Sequence, residues 1–154
     1  MAAPSSTITP IQWAIRWISL GNLIIPAARL EIDLFLRATL PGETMVAESG
    51  WIDTGAPLSV IPVRIHNGRL DWKRIPGVQL TWIGQTCDLG TIDVWLPTQE
   101  TPALRGPLTL LAKFPRSDPP GSPMPILLGL EFFLSNQAGM NLLPPAQQST
   151  ISIP

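Results

Sequence analysis

Apolar and polar residues alternate most clearly at positions 28–37, ARLEIDLFLR, where Leu30, Ile32, Leu34 and Leu36 point one way and Glu31, Asp33 and Arg37 the other. A period of two is that of a strand with one face in a core. Pro41-Gly42 marks a turn, and TMVAESGWI at 44–52 predicts a returning strand that ends at Asp53, so the two make a hairpin. LSVIPV at 58–63 is a further apolar, β-branched run, closed by a turn at His66-Asn67-Gly68. VQLTWI at 78–83 and GTIDVWL at 90–96 predict a second hairpin with Gly84-Gln85 and the residues that follow as an extended tip; PLTLLAKF at 107–114, MPILL at 124–128 and STISI at 149–153 predict three more strands. The one helical pattern is LEFFLSN at 130–136, about two turns, which Gly139 would end. The proline-rich link FPRSDPPGSPMP is too short for a domain boundary and reads as a surface loop.

Eighteen prolines and twelve glycines in 154 residues disfavour long helices. The expectation is therefore an all-β fold, mainly strands with one short C-terminal helix, in a single domain over 1–154. Residues 1–26 read as an extension ahead of a core at about 28–153. TITPIQW at 7–13 is β-prone, and the Ile- and Trp-rich segment 11–26 would pack on the body, cover a sheet edge, or be a removable pro-segment. Ten Lys and Arg against eleven Asp and Glu, with no run of like charge, leave no footprint for nucleic acid. Arg16, Arg29, Glu31 and Asp33 interrupt the greasiest region, so no membrane span is expected. The N-terminus lacks the basic residues of a secretory leader, and a cytoplasmic protein is the expectation. Cys87 and His66 are the only residues of their kinds, which excludes a disulfide and a thiolate metal cluster. They are read as an ordinary thiol and a surface imidazole; no metal or cofactor is expected.

The chemistry narrows to carboxylates. In GWIDTGAPLSVI, residues 50–61, Asp53 stands where one strand ends and another begins, and Thr54-Gly55 permits a tight loop that presents it. Taken alone, such a tripeptide is most simply a turn in which the aspartate bonds nearby amides. Asp33 and Asp93 read as solvated strand positions, Asp71, Asp88 and Asp118 as turn residues, and Glu131 as a first-turn residue of the helix. An intrachain pair of Asp33 with Asp53, of the kind glycosidases use, has nothing else to support it.

The surroundings of Asp53 resemble the active-site loop of aspartic proteases. Trp51-Ile52-Asp53-Thr54-Gly55-Ala56, followed by Leu58, Val60 and Ile61, matches that family's pattern. Leu127-Leu128-Gly129 before the helix matches its second core motif, and the hairpin at 78–96 stands where the family carries a flap. The motif occurs once, and Ala56 follows the glycine, so the likeness is to the retropepsin-like branch and spans about residues 28–142. It implies a single-lobe acid-protease barrel, a homodimer whose terminal strands interleave, and cleavage of a peptide or protein substrate. By the same resemblance Asp53 is catalytic, Thr54 braces the two loops, the Gly55 amide holds the carboxylate, and Trp82, Ile83, Gly84 and Gln85 form the flap. Physical chemistry also asks for two chains. Activating water with carboxylates needs one as base and one as acid, and two aspartates about 3 Å apart that share a proton supply both. Retroviral members carry arginine after the second glycine. Leu130 stands there in this chain, so the loop needs another support. Pro57 and the lack of a glycine-rich flap tip are further departures. The alternative is a non-catalytic module of the same fold that dimerises or binds an extended peptide by strand addition.

Overall fold

In the computed structural model, which describes residues 7–39, 41–100, 103–121 and 123–154, the alternation at 28–37 becomes the inner half of a longer strand. The first six residues and Ser122 of the proline-rich link lie outside the described residues. Strands β1 (Thr7–Leu20), β2 (Leu23–Arg37), β3 (Met45–Ile52) and β4 (Ser59–Val60) precede a short helix, α1 (Val63–His66). Strands β5 (Lys73–Trp82), β6 (Gln85–Pro97), β7 (Leu104–Pro115) and β8 (Ile126–Leu128) follow, then helix α2 (Leu130–Ser135) and strands β9 (Gly139–Asn141) and β10 (Ser149–Ile153).

The strands form one sheet in the order β5-β6-β7-β4-β8-β3-β2-β1-β10-β9. A further pairing of β6 with β2, Phe35 opposite Trp95 and Leu36 opposite Val94, joins β2, β3, β8, β4, β7 and β6 into a closed ring. Of the positions the alternation marks in β2, Ile32, Leu34 and Leu36 are buried and Leu30 half-buried; Ile92, Val94 and Leu96 of β6 and Leu108, Leu110, Ala112 and Phe114 of β7 are buried in the same core. Each such side chain contributes roughly 1.5–3 kcal/mol on burial. Phe132 of α2 is buried in the same cluster. The all-β expectation holds.

Four local expectations are corrected. The run at 58–63 pairs only over Ser59–Val60, because Pro62 has no N–H to give a ladder and the chain turns into α1. That turn is held from a distance: the Asp118 carboxylate accepts the Val63 and Arg64 amides at 2.7 and 3.2 Å. The fold thus has two short helices. Gly139 does not end α2; the helix stops at Ser135, Gln137 takes a left-handed φ of 51°, and Gly139 opens β9. His66 is no surface imidazole. α1 turns its ring inward, edge-on to Trp72 and Phe114, which stack on each other at 3.9 Å, and its Nε2 donates to the Pro115 carbonyl at 2.9 Å. Cys87 is fully buried, and burial pushes its thiol pKa up, away from reactive thiolate.

Burial pushes the His66 pKa down, against the opposing pull of the Pro115 carbonyl and of Asp118 and Asp88. Because the depressed value belongs to the folded state, the stability it confers is complete above the ordinary histidine value of about 6.5 and is lost as pH falls from there through the folded value. Urea midpoints should decline over that acidic interval, and His66→Gln, which keeps a donor for Pro115, should flatten that part of the curve. A curve unchanged by the substitution would remove His66 from the acid response.

The N-terminal segment is resolved into structure of two kinds. Thr7–Ile11 pairs with β10 inside the same chain, Thr7 opposite Ile153, so the two termini form strands that pair with one another. From Gln12 onward β1 pairs with β2 up to the Leu20–Leu23 turn. β3 accompanies β2 only as far as Leu30, opposite Ile52. Beyond that register the β1–β2 ribbon continues as a two-stranded arm. Among the described residues, no helix is long and apolar enough to cross a membrane.

Candidate active site

Asp53 is the first residue after β3, and the sheet determines where it points. β8 runs parallel to β3, with Trp51 beside Leu127 and Ile52 beside Leu128, and antiparallel to β4 on its other side. The ladder carries on by one bond past β3, the Asp53 amide donating to the Leu128 carbonyl at 2.9 Å. The loop then closes: the Ala56 amide donates to the Asp53 carbonyl at 3.1 Å, and the Gly55 amide to Asp53 Oδ1 at 3.0 Å. Asp53 is half-buried, while Thr54 and Gly55 are exposed.

The loop is supported from the residues after Gly129 by a set of main-chain bonds. The Leu130 amide donates to the Ala56 carbonyl at 2.9 Å and the Glu131 amide to the Pro57 carbonyl at 3.0 Å, so the first turn of α2 holds the loop from beneath. The Gly129 amide donates to Ser59 Oγ at 2.9 Å in a fully buried bond. Ser59 was not singled out from the sequence, since its partner lies far along the chain. Ser59→Ala leaves that amide without an acceptor and is expected to cost about 1–3 kcal/mol, read from the urea midpoint. A loss below about 0.5 kcal/mol would mean that water or a shifted neighbour replaces the hydroxyl.

Around the carboxylate, Arg29, Trp51, Ile52, Asp53, Met124 and Leu127 line a pocket of about 230 Å³. Trp51 is fixed by its Nε1 donating to Glu31 at 3.1 Å and by the Arg29 guanidinium 5.4 Å from its ring centroid. Met124 is held in turn by Arg64, whose guanidinium donates to the Met124 carbonyl at 2.8 Å. Arg29 and Met124 escaped the sequence reading, because each reaches the pocket from a segment remote from Asp53 and carries no motif.

The proposed flap is a hairpin, β5 against β6, with Trp82 opposite Gln85. The extended tip expected from Gly84 onward is corrected: Gln85–Asp88 already pair with β5, and the tip is only Ile83-Gly84, with φ of 48° and 73°, the two left-handed residues of a type I′ turn. Gly84 adopts this freely, whereas a β-branched Ile83 is strained there. The hairpin is tied down beside its tip. Lys113 donates to the Thr81 carbonyl at 2.9 Å, and Ser117 donates to the Gln85 side chain. Trp82 lines a second pocket with Asp118, Pro119, Gly121, Pro123 and Met124. Met124 therefore borders both the Asp53 pocket and the flap side.

The other carboxylates are placed elsewhere. Asp93 pairs with Arg37 at 2.9 Å. Asp88 is bridged by Arg74 and Arg116 at 3.0 and 2.9 Å; the hydrogen bond from Arg116 holds its pKa below the usual carboxylate range. Asp33 lines a separate pocket with Glu31 and Ser49, so it forms no pair with Asp53 across one cleft. Among the described residues, no three His, Cys, Asp or Glu side chains stand together as metal ligands. No family model matches the chain, and no curated protein or solved structure is significantly similar to it.

Proposed function

We propose that this chain is one half of a homodimeric aspartic endopeptidase with a retropepsin-like barrel. The observation that carries the reading is the loop geometry. A single aspartate leaves β3, is held by the Gly55 amide at 3.0 Å, and is braced through Gly129 and the first turn of α2. The closed ring of strands and the hairpin bearing Trp82 support it.

In this reading Asp53 of two copies meet across a twofold axis, an isologous contact in which each loop touches its equivalent. One carboxylate takes a proton from water, which attacks the peptide carbonyl carbon, while the other, protonated, donates to the carbonyl oxygen. The tetrahedral intermediate then breaks its C–N bond as a proton passes to the leaving amine. The protonation states belong to the pair as a unit. Thr54, exposed at the head of the loop, faces its counterpart, and the two hairpins cover an extended substrate.

The test is proteolysis of a denatured protein mixture between about pH 4 and 7, with Asp53→Asn as control. Cleavage by the native chain alone supports the reading, and equal cleavage by both proteins sinks it. Absence of cleavage in both favours the non-catalytic, peptide-binding module.

A further inference from the structure

Large apolar side chains stand exposed at eleven described positions, and seven of these lie on the outer β1–β2 arm, Trp17 and Ile24 being the most open at 71% each. The cross-strand register sorts the arm into two faces. Trp13 with Leu30, Ile15 with Ala28, Trp17 with Pro26 and Ser19 with Ile24 share one face; the other carries Arg16 and Arg29 and, toward the turn, Ile18 with Ile25 and Leu20 with Leu23, so the outer end is apolar on both faces and the arm's two most open apolar side chains lie on the first. The first face continues the core side of the same strands: Ile11 and Ile32 are buried, Trp13 and Leu30 half-buried, and beyond them the surface is open. A two-stranded ribbon with an uncovered apolar face is marginal in water and marks a contact surface.

We infer that this face packs on a second copy of the chain, over the exposed stripe of Leu130 and Leu134 on α2. The inference deepens the proposed function and rests on its twofold arrangement. Position is the first argument. β2 outruns β3 at Ile52, so the arm extends past the end of the sheet where Asp53 sits, the end at which the second copy must stand. Reach is the second. From Leu30 to the turn the arm extends on the order of 25 Å, enough to cross onto a neighbour. Area is the third. A stable dimer buries about 800 Å² per partner, far more than the loop between β3 and β4 presents, and the terminal strands that would add area are paired within the chain. The acceptor follows from the loop itself. Leu130 is bonded to Ala56 of that loop, and Leu134 lies one turn further on the same helix face, 76% exposed.

The experiment places a photoreactive benzoylphenylalanine at position 17 of the otherwise native chain and irradiates a mixture of isotopically heavy and light protein. The expected product is a heavy–light crosslink mapped to 130–134. In parallel, Trp17→Ser with Ile24→Ser should raise the dimer dissociation constant at least about tenfold in sedimentation, whereas Asp53→Asn leaves it within about threefold. Crosslinks confined to one chain, an unaltered dissociation constant, or transfer of the native protein to phosphatidylcholine vesicles in place of dimerisation would each overturn the inference. The two readings fail separately. Peptidase activity with an arm variant that still dimerises removes only the arm contact, and a dimer that depends on the arm but cleaves equally with Asp53→Asn removes only the catalytic assignment.

Discussion

Asp53→Asn is expected to lower kcat/KM for a peptide substrate by at least about 10³-fold, some 4 kcal/mol of transition-state stabilisation, with no change in urea midpoint. The amide keeps the size of the carboxylate and an oxygen to accept the Gly55 N–H, so the loop retains its bond at that point. What it loses is the proton exchange on which both halves of the proposed reaction depend. Mixing the variant with native chain sharpens the test. After random subunit exchange at equal amounts, about a quarter of the dimers carry two aspartates, and activity per native chain should fall accordingly. Activity that stays proportional to native chain would show that one chain suffices, and the twofold site would be abandoned even if the substitution itself is inactivating.

Gly129→Ala is the substitution expected to cost most in stability, about 3–4 kcal/mol, with loss of the site as a consequence. The backbone angle is not the reason, since φ at Gly129 is −85°, which any residue adopts. The reason is space. A Cβ there would lie 2.5 Å from the Leu58 carbonyl carbon, 2.7 Å from its oxygen and 2.8 Å from the Ala56 oxygen. All three are backbone atoms of the loop that carries Asp53, so relief requires moving that loop off α2 and breaking the Ala56 and Pro57 bonds described above. Gly84→Ala is the contrasting control. Nothing stands within 4 Å of a Cβ there, and only its φ of 73° resists, a cost of about 1 kcal/mol. If the two variants unfold at similar urea concentrations, the tight junction of loop and helix is not a constraint on the fold.

Strands that separate a core from water could be read directly. β2, β6 and β7 show period two because each has one wet face, and for β2 the pattern names Ile32, Leu34 and Leu36 as inward, which are buried, and Leu30, which is half-buried. The loop at 53–56 was also visible through its turn residues, whereas the segment 127–129 stood out only by its resemblance to the second core motif of aspartic proteases. Elements that depend on distant partners were not visible. α1 exists where a strand was expected because Asp118 caps it from another part of the chain, and Ser59 owes its role to an amide seventy positions away. The arm escaped for a different reason. With apolar residues on both faces it has no alternation to detect, and only its register with β2 shows it to be a ribbon.

The threading of β8 between β3 and β4 has a consequence for how the molecule comes into being. Asp53 leaves the ribosome early, but the strand that aligns it arrives about 75 residues later, and contacts of such separation close slowly because loop entropy must be overcome first. A nascent chain that has not yet reached β8 therefore carries the aspartate without the strand that aligns it, and the site cannot assemble before β8 is made.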